Sequence, residues 1–375
     1  VGSNAYASGS QSLAAGFGAQ ATGDYSVAIG TGANTAGYAN SVALGANSVV
    51  DRANSVSVGA PGSERQITNV ADATEAHDAV TLEQLQAAVG GGSAADHYFK
   101  ANGPADGSDD ASATGLHATA AGPLANASGD YSAAMGYNSV ASSTRSSAFG
   151  ANAYASGESS TALGSESSAT GYRSTAVGYG AAANGEYSTA IGTSAYAGSD
   201  HSIALGDNAV AGGEGGSYAT AVGSHAQAYG SSSTAVGEYS KASGNYSAAF
   251  GGGASAGGAY GTALGSYASA AGNSSTAVGS YANAGGDYST AVGFNSNAAG
   301  TSASAFGADS SAGGQNSLAL GALANASGLG AAAEGYNSNA TGLGSIADGY
   351  NSIASGDYST ALGFGSVAAN TSANA

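Results

Sequence analysis

The side chains that could carry chemistry are sparse and do not converge. Five histidines, His77, His97, His117, His201 and His225, lie singly, with no spacing that would bring two of them to one metal ion. Cysteine is absent, which removes thiolate catalysis, thiolate metal sites and a disulfide framework. Serine is abundant, yet no base recurs beside it in an arrangement that would activate a hydroxyl. Asp24, Asp130, Glu186, Asp287 and Asp357 each precede a Tyr-Ser step just after a glycine, a position that suits turn capping. The nine-residue glycine-aspartate pattern of calcium-binding rolls is missing. The expectation is a protein that is not an enzyme and that needs no cofactor and no metal.

What is regular is the glycine. Gly223 is followed by Gly237, Gly251, Gly265, Gly279, Gly293, Gly307, Gly321, Gly335, Gly349 and Gly363, always 14 residues apart, each closing a variant of Ser-x-Ala-hydrophobic-Gly. The same phase runs from Gly122 to Gly206, and an earlier set occupies Gly2, Gly16, Gly30, Gly45 and Gly59. A short fixed period means a solenoid. The chain has 64 glycines but only three prolines in 375 residues, and glycine does not fall at every third position, so a collagen helix is excluded. Regularly placed Val, Ile, Leu and Phe argue against a disordered Gly/Ser linker. A net charge of -18, from 24 acids against six Lys and Arg, removes the basic footprint of a nucleic-acid or anionic-lipid binder.

One repeat contains two strands. In Ser188-Thr189-Ala190-Ile191-Gly192, alternation puts Thr189 and Ile191 on one face and Ser188 and Ala190 on the other. After Gly192, Ala195 and Ala197 alternate with Ser194 and Tyr196. Many repeats carry a second glycine seven residues after the first, as in Gly150 and Gly157 or Gly178 and Gly185. The two glycines mark two bends, read as positions that tolerate positive φ, and they leave strands of four or five residues. The coil that results is narrow, with an alanine interior.

The larger side chains must then face outward. They are Met135, Phe149, Leu163, Val177, Ile191, Leu205, Val222, Val236, Phe250, Leu264, Val278, Val292, Phe306, Leu320 and Leu362, each immediately before a turn glycine. A β-branched series flanks them: Thr161, Thr175, Thr189, Ile203, Thr220, Thr234, Thr262, Thr276, Thr290 and Thr360. So long an apolar stripe would aggregate if left bare, and self-association along it is the expected remedy, in a closed dimer or trimer. The opposite strand is expected to present Asn138, Asn152, Asn208, Tyr239, Tyr267, Tyr281, Asn295, Asn337 and Asn351 on its outer face, an uncharged hydrogen-bonding surface suited to recognition or simply to solvent.

Between the two glycine ladders the period fails. Here stand Asn54-Ser55-Val56-Ser57-Val58-Gly59, then Glu64-Arg65-Gln66-Ile67-Thr68-Asn69-Val70, then Asp78-Ala79-Val80-Thr81-Leu82-Glu83-Gln84-Leu85. Leu82, Leu85 and Val89 have the spacing of a coiled-coil seam, but they span little more than one heptad before Gly90-Gly91-Gly92. The passage resembles the head-to-neck junction of trimeric autotransporter adhesins, the YadA-like family of bacterial surface proteins, and the 14-residue repeats on both sides are similar to that family's head motif.

The resemblance implies an all-β fold, a left-handed parallel β-roll of 14-residue coils that assembles as a homotrimer, with a short neck and a brief helical connector. It implies that Arg65, Gln66, Ile67, Thr68, Asn69 and Val70 cross to a neighbouring subunit, and that Asp78, Val80, Leu82, Leu85 and Val89 complete the neck contacts. His77 stands where the family commonly has threonine. The expected organisation is the last part of a first head over 1–59, a neck over 60–80, a helical connector with a Gly-rich linker over 81–96, and a second, truncated head over 97–375, entered near Asp96-His97-Tyr98-Phe99-Lys100. The expected partners are the chain itself and a host matrix protein or cell-surface receptor, with no nucleic acid. The implied location is the bacterial cell surface, with a membrane anchor outside this segment; both ends of the segment read as cuts within the repeat phase.

Three breaks in the pattern carry expectations of their own. From Gly206 to Gly223 the step is 17, which places an extruded loop near Gly212-Gly213-Glu214-Gly215-Gly216. One extra residue between Gly30 and Gly45 suggests a β-bulge. Glu334 and Asp348 occupy the stripe position in adjacent coils; at a threefold axis six carboxylates would meet, so the expectation is that the subunits part or the roll turns there and the acids see solvent. Two other readings stay open: a spacer without a receptor of its own, and a flat ice-binding solenoid built on the threonine series.

Overall fold

The computed structural model describes residues 1–90, 107–213 and 217–375. The chain forms two compact units, residues 1–100 and 101–375. Asp96–Lys100, Gly91, Gly92, His97 and the Glu214–Gly216 part of the long step lie outside the described residues, as does the side chain of Val89.

The second unit is a parallel solenoid of two open ladders. The first ladder has 18 three-residue strands, from Thr119–Ala121 to Thr360–Leu362; the second has 19 two-residue strands, from Ser112–Ala113 to Val367–Ala368. Every pairing is parallel and, away from the long step, shifted by 14 residues, so that Thr189 stands beside Thr175 and Tyr196 beside Ala182. The first unit repeats this on a smaller scale. Leu13–Ala15, Val27–Ile29, Val42–Leu44 and Val56–Ser57 form a four-strand ladder, and Tyr6–Ala7 pairs with Gln20–Ala21.

The strands are shorter than the alternation suggested because the bends take more of each coil. Ala195 N–H donates to Gly192 O and Ser188 N–H to Gly185 O, each closing a four-residue turn. The third residue of each turn has positive φ, as a type II turn requires: 53° at Ser194 and 55° at Tyr187. This corrects the sequence reading of the asparagines and tyrosines two residues after a turn glycine. Asn138, Asn152, Asn208, Tyr239, Tyr267, Tyr281, Asn295, Asn337 and Asn351 all have φ between 51° and 58° and sit on a bend, not on the second strand. Asparagine tolerates the left-handed region well, and tyrosine adopts it here because the neighbouring coils impose the turn.

The two glycines of a coil serve different needs. Gly178, at the first bend, has φ +131°, and a Cβ there would lie 2.5 Å from the carbonyl oxygen of Gly192. Gly171, at the second bend, has no positive φ; it is glycine because a Cβ would lie 1.9 Å from the carbonyl oxygen of Gly185. Close approach of stacked backbones, not turn handedness, fixes the second glycine.

The interior matches expectation. Ser188, Ala190, Ala195 and Ala197 of one coil are fully buried, and the same four positions repeat along the roll as one continuous core of alanine and serine. Some buried serines answer the turn carbonyl three residues back, as Ser188 Oγ does to Gly185 O at 2.7 Å, while others, such as Ser174, have no partner for the hydroxyl. The single extra residue between Gly30 and Gly45 is not a β-bulge. Val27–Ile29 and Val42–Leu44 pair without interruption, and the added length goes into the bend, where Ala36, Gly37 and Asn40 all take positive φ. Across the 17-residue step Leu205 pairs with Val222 and Ala211 with Ala228, so both ladders continue in register.

Candidate assembly and recognition surfaces

The residues before the first-bend glycines stand side by side on the outer face of the three-residue ladder, Leu163 beside Val177 beside Ile191 beside Leu205. Leu163, Leu264, Leu320 and Leu362 are exposed, as are Met135, Ile191, Leu205, Phe250 and Phe306; Phe149, Val177, Val222, Val236, Val278 and Val292 are half-buried by their ladder neighbours. Pairing at the −3 position gives a second outward column, Thr161, Thr175 and Thr189, interrupted at Ile203, Ala248, Ser304, Leu318, Ala332 and Ile346. Glu334 and Asp348 sit in the apolar column without disturbing it: Leu320 pairs with Glu334, Glu334 with Asp348, and Asp348 with Leu362. The roll does not turn at this point.

The bends carry ladders that sequence reading missed, because residues at the same bend position of successive coils stack directly. At the second bend Tyr187 stacks on His201 and His201 on Tyr218, with ring centroids 5.0 and 4.7 Å apart. His117 likewise stacks on Tyr131, and Tyr246 on Tyr260. At the first bend His225 meets Tyr239, Tyr267 meets Tyr281, and Tyr336, Tyr350 and Phe364 form a run. Three of the five scattered histidines are therefore members of aromatic columns. Amide ladders continue the theme: Asn138 Nδ2 donates to Asn152 Oδ1 and Asn337 Nδ2 to Asn351 Oδ1, both at 2.9 Å. The recoverable signal was aromatic or amide identity at a spacing of 14.

Four of the five acids expected to cap turns do so across coils, each on the turn of the coil before it. Asp24 accepts from Ser10 N–H, Asp130 from Leu116 N–H, Asp287 from Asn273 N–H and Asp357 from Leu343 N–H, each across 14 residues. Glu186 differs in that its own N–H donates to Asp200. At the first bend the Tyr179 hydroxyl is held above its ordinary pKa, mainly by its hydrogen bond to the Glu166 carboxylate and then by that charge. Among the described residues no group of three His, Asp or Glu is placed to hold a metal ion.

In the segment after the first roll, Arg65 folds against the last coils of that roll, donating to Ser48 Oγ, Val58 O and Ala46 O. Gln66, Ile67, Thr68 and Asn69 are exposed in the single chain, and Val70 is half-buried. Asp78 accepts from Thr74 N–H and Glu75 N–H, and those two bonds, Thr74 first, hold its carboxyl below the usual range. The helix Leu82–Gly90 begins with a capping box: Gln84 N–H donates to Thr81 Oγ1, and Gln84 Oε1 accepts from Thr81 N–H. Val80, Leu82 and Leu85 are exposed. No described helix is long and apolar enough to cross a membrane.

A narrow parallel roll with its largest apolar residues outside, followed in the first unit by an irregular segment and one short helix, defines a repeat-built β-solenoid. The YadA head domain repeat matches residues 7–33 and 39–60 and then, in overlapping or successive windows, most of 113–366. The coiled stalk of trimeric autotransporter adhesin matches residues 66–107. The chain belongs to the YadA head-repeat family. It is 46% identical over 66 residues to the autotransporter adhesin EhaG of Escherichia coli O157:H7, a match that spans 17% of this chain and 4% of that protein. It is also similar, at 17% identity, to the collagen-binding domain of the Yersinia adhesin YadA. That match covers 68% of this chain and 67% of the solved one, with a TM-score of 0.10.

Proposed function

We propose that this chain is a segment of a bacterial surface adhesin in which three copies associate along the apolar column and hold a rigid adhesive rod away from the cell. The observation that carries this reading is the unbroken outward column from Phe149 to Leu320, in register over successive coils and uncovered in the single chain. The alanine and serine interior supports it, since a core of such small side chains buries little apolar area per coil. In this reading residues 1–59 end one head, 60–80 form the neck, 81–96 connect and 97–375 begin a second head. Arg65 anchors the start of this segment on its own roll, and Gln66 to Val70 then reach a neighbouring subunit, with Asp78, Val80, Leu82, Leu85 and Val89 completing the contact. The partner is a host extracellular-matrix protein or cell-surface receptor, met by many weak repeated contacts whose avidity replaces a deep pocket. Adhesion between copies on neighbouring cells uses the same surfaces.

A pair of lysines at Val222 and Val236 tests the assembly. Both positions are outward-facing, so the single roll tolerates them, while three copies would each bury two uncompensated charges. The substituted chain is expected to run as a monomer and to lose retention on immobilised matrix protein. Unchanged assembly in that variant would show that the column faces solvent and not its partners.

A further inference from the structure

Along the first bend the left-handed position is filled in successive coils by His225, Tyr239, Gly253, Tyr267 and Tyr281, with φ of 57°, 55°, 65°, 55° and 58°. The rings pair on each side of Gly253: His225 on Tyr239 at 4.7 Å and 20°, Tyr267 on Tyr281 at 5.3 Å and 10°. One ring of the column is missing between them. Neither glycine at this bend beyond Gly251 is required by the backbone. Tyrosine, asparagine, serine and histidine all take the same φ at neighbouring coils, and a Cβ on Gly252 would meet nothing nearer than Glu238 O at 3.9 Å.

The gap is a cleft of about 290 Å³ lined by Glu238, Tyr239, Gly252, Gly253, Ser266 and Tyr267. Two coils of about 4.8 Å separate the flanking bends by about 10 Å. The Tyr267 ring leans in, so that a Cβ on Gly253 would lie 2.7 Å from its Cδ1 and Cε1. The leaning ring narrows the cleft between Tyr239 and Tyr267, which favours a small flat group over a bulky one. The floor is fixed, since Gly253 N–H donates to Glu238 O at 2.9 Å and Tyr267 N–H to Gly252 O at 2.9 Å. The Ser266 hydroxyl donates to Gly252 O at 3.4 Å, leaving its lone pairs to accept. Glu238 is exposed, and among the described residues it makes no ion pair.

Two aromatic rings, one carboxylate and one hydroxyl acceptor, in a chain of net charge -18, ask for a flat cation rich in donors. We propose that the slot between Tyr239 and Tyr267 binds the guanidinium group of an arginine on a partner protein, stacked on the tyrosine rings and paired with Glu238. An ammonium is compact and would not fill the slot. A neutral sugar could stack but would leave the carboxylate unanswered. The inference rests on the adhesive reading only in taking the partner to be a protein; the slot itself is built within one roll.

The test uses the full chain and a small probe, N-acetyl-arginine amide, against its citrulline counterpart and a neutral trisaccharide, followed by tyrosine fluorescence and saturation transfer. The arginine probe is expected to bind, the citrulline probe about tenfold more weakly. Gly253→Tyr completes the column in a backbone conformation that Tyr239 and Tyr267 already adopt, provided the Tyr267 ring swings off the new Cβ to stacking distance; it is expected to abolish binding, with its melting temperature measured alongside to show that it folds. Glu238→Gln is expected to weaken arginine about tenfold, with the melting temperature unchanged. Equal binding of citrulline, binding of the trisaccharide in place of arginine, or undiminished binding by Gly253→Tyr would each overturn the proposal. The mass of the assembly, measured on the same samples, reports separately on whether the chain associates, so failure of the slot and failure of the adhesin reading are told apart.

Discussion

At the residue scale the coil is governed by where a Cβ can exist. In the second unit every coil keeps its first-bend glycine, from Gly122 to Gly363, whereas serine replaces the second-bend glycine at Ser143 and Ser199. The geometry orders the costs accordingly. Gly178→Ala meets both φ +131° and the Gly192 carbonyl, and is expected to cost more than Gly171→Ala, where only contact opposes it and a shift of about 1–3 kcal/mol is the ordinary cost of overpacking. Gly330→Asn, with φ +65° and nothing within 4 Å, is expected to be neutral or slightly stabilising. Thermal melting of the three variants checks the order. The buried serines divide in the same manner. Ser188→Ala removes a hydrogen bond to Gly185 O and is expected to cost about 1 kcal/mol, while Ser174→Ala removes a hydroxyl that has no partner and is expected to be neutral or stabilising. Equal losses at the two serines would show that the hydroxyls act through something other than the turn carbonyl.

At the scale of the element, the period, the two-strand coil, the alanine interior and the outward apolar column were all legible, because a 14-residue repeat combined with alternation fixes which side chains can point inward. The bends were not. Alternation carries no information once the chain leaves the strand, so Tyr239 and Asn337 read as strand residues although they stand at left-handed turn positions. The role of Gly171 was misread for a related reason: a glycine excluded by its neighbour's carbonyl looks the same in sequence as one chosen for φ. The capping box at Thr81 and Gln84 was present in the residues quoted and needed only its spacing to be recognised. Asp78 gives the neck turn a pH dependence whose sign follows from its depressed carboxyl pKa. The stabilisation is present above the unfolded value near 4 and is lost as pH falls through the lower folded value. A carboxyl titration by NMR is expected to place Asp78 below the other exposed aspartates, and Asp78→Asn to abolish the acid-induced loosening of residues 74–78; a midpoint at the ordinary value would contradict this. In the apolar column, Glu334→Leu with Asp348→Leu restores the series from Leu320 to Leu362. If the column is an interface, the melting temperature of the assembled form rises; an unchanged value would place these two coils in solvent.

At the scale of the whole molecule, the long ladders, the exposed column and the family membership are what support the proposed association of several copies. The threonine column beside the apolar one has enough interruptions, at Ile203, Ala248, Leu318 and Ile346 among others, to make a poor flat lattice. The measurement that bears most directly on the account is the mass of the 375-residue chain in solution by light scattering, over a range of concentrations and at low and high salt. The account predicts a stable particle of three 34.9 kDa chains, about 105 kDa, insensitive to salt because the contact is apolar. A folded monomer of 34.9 kDa with the column exposed would contradict it, and would leave the threonine face free for the ice-binding reading.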